Sequence, residues 1–178
     1  MRYIFCSLLI FLAMTAFSQS KVKDDTLNLP DGYKQWTEYR TAFRFGLGVQ
    51  KSFSTELGIS RHKYMYNDLG FASKAFYASV EWTPAFSKED QPVYAFKTGY
   101  EMNARVLAPG LEVKYQTDFR HEDIVLTPKI GIGVMGILNL FYGVNISTMN
   151  SPFPNIGSNQ FSIVCNLNRK VLKRKKTI

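Results

Sequence analysis

Two carboxylates, Glu101 and Glu112, have the spacing that most resembles a catalytic pair. Each lies where polar and apolar residues alternate, and the alternation places both side chains on one side of neighbouring predicted strands. Two close carboxylates can act as general acid and general base. Lys97, Lys114 and Lys129 fall on that same side, so we favour ion pairing over catalysis at this position.

The polar face of the predicted strands carries charges of both signs, mixed with many glycines. Glu56 and Asp118 also fall on this face. Mixed charges on the inner side of a narrow barrel can neutralise one another as a buried network. We therefore predict a lumenal charge network formed by Arg44, Glu81, Lys97, Glu101, Glu112, Lys114 and Lys129.

Other residue types offer little chemistry. His62 and His121 each adjoin a charged residue at a predicted turn or strand end, which favours surface histidines. Gly131, Gly133 and Gly136 spell G-x-G-x-x-G, but no helix follows, so a dinucleotide site is not predicted. No cysteine or histidine cluster has metal-ligand spacing. We predict no catalytic residue, no cofactor and no metal.

The elements that position these residues are strands, because period-two alternation recurs from Tyr39 onward. Phe43, Phe45 and Leu47, for example, alternate with Arg44 and Gly46. Turn-forming residues separate the alternating segments. The predicted strands cover roughly 40–51, 55–65, 74–84, 93–103, 107–119, 123–134, 138–148 and 159–169.

The stretch from Lys129 to Met149 has no charge after its first residue, and its length would suit a transmembrane helix. Its period is two, however: Ile130, Ile132 and Val134 alternate with glycines. Interior glycines and β-branched residues also disfavour a helix. We therefore predict two strands joined by a tight turn near residues 135–137.

Strand length favours a membrane barrel. Most predicted strands exceed the soluble average of about 5–6 residues and reach the roughly 9–11 residues of a tilted bilayer crossing. A wide channel needs about 16 strands, which this chain cannot supply. The prediction is an all-β fold: an antiparallel up-and-down transmembrane β-barrel of about eight strands with a filled lumen.

The two ends of the chain differ from its body. Residues 1–18 have the charged start, apolar run and small residues of a signal peptide. We assign 19–38 to a flexible lead-in, 39–169 to the barrel domain and 170–178 to a basic C-terminal tail. The net charge of +8 resides largely in that tail, and an exported chain has little access to nucleic acid, so no nucleic-acid partner is expected.

The run LTPKIGIGVMGILNLFYGVNIS, residues 126–147, resembles the penultimate hairpin of small outer-membrane β-barrel proteins from the Bacteroides group of bacteria. The resemblance implies a cell outer-membrane location, outer-membrane lipid as surroundings and insertion by the barrel assembly machinery. Such barrels commonly end on an aromatic residue, whereas this chain continues into its basic tail. The family implies no single activity.

Three functions are open at this point. The first is an outer-membrane barrel with a structural or surface-interaction role that is neither a pore nor an enzyme. The second is a soluble, periplasmic, lipocalin-like barrel that binds a small apolar ligand. The third is a barrel-embedded lipid-modifying enzyme, which needs a Ser/His/acid cluster at one rim. The outward or inward orientation of Phe43, Phe45, Val80, Trp82 and Leu140 separates the first two.

Overall fold

The computed structural model describes residues 36, 39–67, 70–85, 91–134, 136–149 and 153–167. The predicted signal peptide, the predicted basic tail and nearly all of the predicted lead-in lie outside the described residues. Within the described ranges, no helix is long and apolar enough to cross a membrane.

The described chain forms one closed antiparallel sheet, because pairing of the first strand with the last completes the ring. The strands are β1 (Arg40–Val49), β2 (Phe53–Asn67), β3 (Gly70–Thr83), β4 (Val93–Ala104), β5 (Leu107–Thr117), β6 (Glu122–Val134), β7 (Leu138–Val144), β8 (Ile146–Ser147) and β9 (Asn159–Leu167). The two-residue β8 continues β7 along β6, so the wall has eight strands. The predicted all-β, up-and-down barrel of about eight strands is confirmed.

The strand bounds differ most from the sequence prediction in the β2–β3 hairpin and after β7. β2 and β3 extend to Asn67 and Gly70, because the alternation continues through the consecutive charges Arg61, His62 and Lys63. The predicted strand 138–148 is interrupted at Asn145, whose backbone N–H donates to the Ser158 carbonyl rather than to a neighbouring strand.

The two faces of the wall have opposite polarity. Arg44 is fully buried while its neighbours Phe43 and Phe45 are 51% and 38% exposed. Val80, Trp82 and Leu140 also face outward. The barrel therefore has an apolar exterior and a polar interior.

Connections differ in length between the two ends of the barrel. At one end, here called the turn end, β1 begins, β9 finishes, and short connections at 68–69, 105–106 and 135–137 join the strands. The opposite end, here called the loop end, holds 50–52, 84–92, 118–121 and 148–158. The longest connections thus lie at the loop end.

Candidate functional site

The barrel interior is the candidate site, and Arg44 on β1 lies at its centre. The Arg44 guanidinium donates to Glu101 through Nη1–Oε2 at 3.1 Å and Nη2–Oε1 at 2.8 Å. Its Nε contacts Glu56 Oε1 at 2.5 Å. The guanidinium carbon also lies 3.7 Å above the Tyr77 ring. One cation thereby holds carboxylates from β2 and β4 in place.

Lys97 separates carboxylates that would otherwise repel one another. Glu56 and Glu81 are directly opposite on β2 and β3, an arrangement of like charges that destabilises a sheet. The Lys97 ammonium lies 2.7 Å from Glu56 Oε2 and 2.9 Å from Glu81 Oε2, and 3.4 Å from Glu112 Oε1. Three acidic residues therefore share this lysine.

Lys129 on β6 joins the network from the other side. Its Nζ lies 2.8 Å from Glu101 Oε1 and 3.1 Å from Glu112 Oε2. It also donates to the Tyr77 hydroxyl at 2.8 Å, and that hydroxyl in turn donates to Glu112. Tyr77 thus connects Glu112 with the cations that surround it.

Lys114 lies at the loop-end side of the network. Its Nζ is 3.5 Å from Glu112 Oε1 and donates to the side-chain oxygens of Gln160 and Asn145. Lys114 is directly opposite Lys97 on the adjacent strand, and Glu112 contacts both. The structure thus brings together all seven residues of the candidate set.

Two residues of this site were not among the seven candidates. Glu56 is an essential bridge between Arg44 and Lys97, although the sequence already placed it on the polar face. Tyr77 is 4% exposed; its alternation with Ser79 and Glu81 places it on the polar face, but a network predicted from charged residues alone does not include an uncharged phenol. Asp118 was predicted on the polar inner face, but it lies in the β5–β6 turn and not in the interior.

The network is electrically balanced and closed to solvent. It contains the cations Arg44, Lys97, Lys114 and Lys129 and the carboxylates Glu56, Glu81, Glu101 and Glu112, each at most 6% exposed. Buried charges are tolerated when each is paired and hydrogen-bonded. Both Glu101 oxygens and Glu112 Oε2 accept hydrogen bonds, and Glu112 Oε1 lies 3.4 and 3.5 Å from the Lys97 and Lys114 ammonium groups, so both carboxylates are ion-paired.

Segment 153–158 covers the interior at the loop end. Phe153 and Ile156 pack on Val93 of β4. Lys51, just after β1, donates to the Pro154 carbonyl at 3.2 Å, and Asn145, just after β7, donates to Gly157 at 2.8 Å. Contacts with three separated parts of the rim place this segment across the barrel mouth.

At the turn end, the β6–β7 turn covers the other mouth of the barrel. Gly136 has a φ of +65°, which favours glycine. A Cβ at this position would lie 2.6 Å from Ser73 Oγ on β3. The Gly136 carbonyl accepts a hydrogen bond from Asn166 Nδ2 of β9 at 3.0 Å. The turn therefore reaches across the mouth from β6–β7 to β3.

His62 is buried, which contradicts its prediction as a surface residue. It is 1% exposed because the alternation of β2 turns it inward. Its Nε2 lies 2.7 Å from Ser60 Oγ, and Ser60 also donates to Asn166 Oδ1 at 3.1 Å. A hydrolytic triad needs the third residue on the histidine rather than on the serine. This trio lacks that order, and Ser60 and His62 are each 1% exposed. His121, by contrast, is exposed as predicted.

A shallow cleft of about 180 Å³ lies at the loop end, between the β5–β6 turn and segment 153–155. Asp118 orders the turn by accepting from the Arg120 and His121 backbone N–H groups at 2.8 and 2.6 Å. Partial burial opposes ionisation, but these hydrogen bonds and the His121 side chain outweigh it. They lower the pKa of the Asp118 carboxyl from 3.8 to about 2.

Comparisons of the chain with protein-family models, with curated proteins and with solved structures found no match.

Proposed function

We propose that the protein is an outer-membrane β-barrel with a structural or surface-interaction role and a closed interior. The observation that carries this proposal is the inverted polarity of the wall. Large apolar side chains such as Leu57 (54% exposed), Phe96 (57%) and Ile163 (50%) cover the outside, while the ionic network fills the inside. In water such a continuous apolar surface would drive association; in lipid it is the stable arrangement.

Aromatic residues at the loop end support the same proposal. Membrane barrels carry aromatic girdles where the wall meets the lipid headgroups. Among the described strand residues, the outward aromatic side chains near this end include Phe53, Trp82, Tyr94, Tyr115, Tyr142 and Phe161. They come from β2, β3, β4, β5, β7 and β9, so they surround most of the barrel.

Loop length supports an orientation. Outer-membrane barrels have short periplasmic turns and longer external loops. By this rule the turn end faces the periplasm and the loop end faces the outside. The surface role then belongs to the loop end, where segment 153–155 and the turn 118–121 line the cleft.

The two alternatives fit less well. A lipocalin-like barrel that binds an apolar ligand needs an apolar cavity, whereas this interior is filled by paired charges. A lipid-modifying enzyme needs an accessible catalytic set, whereas Ser60 and His62 are each 1% exposed. A pore is disfavoured because both mouths are covered by the segments described above.

Heat-modifiability tests the proposal. The outer-membrane fraction is extracted with detergent and analysed on gels with and without boiling. We expect a folded form that migrates differently from the boiled form and that requires detergent for extraction. Recovery of the protein from the soluble periplasm without detergent would contradict the membrane assignment.

Cysteine labelling tests the orientation. In a C165S background, H121C places a thiol at the loop end and R105C places one at the turn end. A membrane-impermeant maleimide added to intact cells should label only H121C, and R105C should react after lysis. The reverse pattern would mean that the orientation is wrong.

A further inference from the structure

We propose that the outer wall at the turn end carries a binding site for an anionic phospholipid headgroup, formed by Arg61, Lys63 and Lys74 with Tyr39 and Trp36. This inference rests on the proposed membrane location and adds the chemical class of lipid that the wall selects. We call these five residues the basic patch.

The first observation is the arrangement of its cations. Arg61 and Lys63 are successive outward residues of β2, and Lys74 of β3 is the direct partner of Lys63 in the ladder. Like charges in directly opposite positions destabilise a sheet. Two lysines facing each other here therefore favour an anion that neutralises both.

The second observation is what surrounds these cations. No carboxylate of a described residue lies within 4.0 Å of Arg61, Lys63 or Lys74. This contrasts with the interior, where every cation of the network contacts a carboxylate. Among the described residues, therefore, none supplies a paired counter-charge to the basic patch.

The third observation is the pair of aromatic rings. Lys63 Nζ lies 4.7 Å and the Arg61 guanidinium 5.2 Å from the centre of the Tyr39 ring. Lys74 Nζ lies 4.7 Å from the centre of the Trp36 ring. Cation–π contacts hold the charged groups beside the wall, and Trp and Tyr favour the headgroup level of a membrane.

The position of the patch identifies its partner. Along β2 the outward residues change from Leu57 and Ile59 to Arg61, and along β3 they change from Phe76 to Lys74. Arg61 is paired with Phe76 and Lys63 with Lys74, so β3 becomes basic one outward position after β2. The partner therefore has apolar chains beside Ile59 and an anionic group beside Lys63. A phospholipid with a net negative charge has this shape and charge.

The two tryptophans of the chain provide a direct test. Trp36 belongs to the basic patch, and Trp82 lies at the loop end. The full mature chain is refolded into phosphatidylcholine vesicles that contain a minority of phosphatidylglycerol. Bromine is placed on the acyl chains of either lipid, and quenching of Trp36 is measured in a W82F background.

We expect the quenching of Trp36 by brominated phosphatidylglycerol to correspond to a local proportion of this lipid about fivefold above its proportion in the vesicle. Five is roughly the factor that one basic residue contributes near an anionic membrane. R61Q/K63Q/K74Q should return quenching to the bulk value. K51Q/R120Q, which removes charge at the loop end, should leave the excess unchanged. Trp82, measured in a W36F background, should report bulk proportions throughout.

Two outcomes would overturn the lipid site alone. In one, Trp36 is quenched in proportion to bulk composition; in the other, the excess persists in R61Q/K63Q/K74Q, which leaves the basic residues of 169–176 intact. If neither tryptophan is quenched by either brominated lipid, the chain is not in the bilayer. That result would instead contradict the proposed function on which the lipid site depends.

Discussion

Arg44 and Glu101 lie 57 positions apart in the chain, yet they form a double hydrogen bond across the barrel lumen, at 2.8 and 3.1 Å. The planar guanidinium matches the two carboxylate oxygens, which gives the pair geometric specificity as well as charge. β1 and β4 are not neighbours in the sheet. The pair therefore connects two strands across the curvature of the closed wall.

Arg44→Met is expected to destabilise the barrel by about 3–5 kcal/mol, the usual cost of leaving a buried charge unpaired. Glu56 and Glu101 would both lose a partner. Arg44→Lys retains the charge but not the two-pronged geometry, so its loss should be smaller. Denaturant unfolding in detergent micelles measures the difference, with the exposed Arg120→Met as the matched control. Equal stability of Arg44→Met and the native chain would mean that water reaches the interior.

Leu57→Arg tests whether the wall faces lipid. Leu57 lies at mid-wall, opposite Phe45 and Val80. A cation at the middle of a bilayer costs about 2–4 kcal/mol, but only about 0–1 near the interfaces. Phe53→Arg, at the loop end of the same strand, should therefore cost less of the unfolding free energy in vesicles. A soluble barrel would tolerate both substitutions equally, so equal effects would contradict a lipid-facing wall.

Gly131→Ala tests how closely the interior is packed. A Cβ at Gly131 would overlap the Leu140 carbonyl oxygen and lie 2.8 Å from Phe141 Cδ1. We expect a loss of about 1–3 kcal/mol, typical of overpacking. At Gly46 the nearest atom would be Glu56 Cβ at 3.1 Å, so Gly46→Ala is the milder comparison. The same unfolding assay ranks the two, and a reversed order would contradict the described packing.

The pH response of the β5–β6 turn follows from Asp118. Its folded-state pKa of about 2 lies below the ordinary 3.8, so the ionised carboxylate stabilises the turn. This contribution is complete above pH of about 3.8 and declines as the pH falls toward 2. Carbon NMR of the carboxyl group should give a midpoint near 2. An ordinary midpoint would indicate that the hydrogen bonds from Arg120 and His121 are not maintained in solution.

Asp118→Asn provides the matched variant for that titration. The amide oxygen can still accept from the Arg120 and His121 N–H groups, but without charge. The transition with a midpoint near pH 2 should therefore be absent from the spectra of this variant. A transition that persists at that midpoint would assign it to a group other than Asp118.

The alternation of the sequence was sufficient to predict the barrel. In β1 and β6 each inward residue follows from period two, because nothing interrupts the pleat. The same rule places Tyr77 of β3 inside, beside Ser79 and Glu81. It also places His62 inside, within the predicted strand 55–65, but the charged neighbours Arg61 and Lys63 favoured a surface position for it. Charges on the outside of the turn end, where the apolar wall finishes, explain that error.

The partners of each charge could not be predicted from alternation alone. Arg44 is opposite Gly58 and Asn166 in the ladder, not opposite a carboxylate. Its partners are Glu56, two positions along β2, and Glu101, on the far wall. These contacts depend on the stagger of the strands and on the curvature of the closed sheet, which are properties of the whole ring. The closure of the mouths by 153–158 and by Gly136 is likewise a long-range contact.

The distribution of the network along the chain has a consequence for assembly. All eight of its charges belong to β1, β2, β3, β4, β5 and β6, while β7, β8 and β9 contribute uncharged residues such as Asn139, Phe141 and Ser162 to the interior. A curled sheet of the first six strands already contains its full complement of opposite charges. The remaining strands can then join β1 and β6 without adding a charged residue to the network. The two seams that β7 and β9 form with β6 and β1 therefore need no new ion pair between strands.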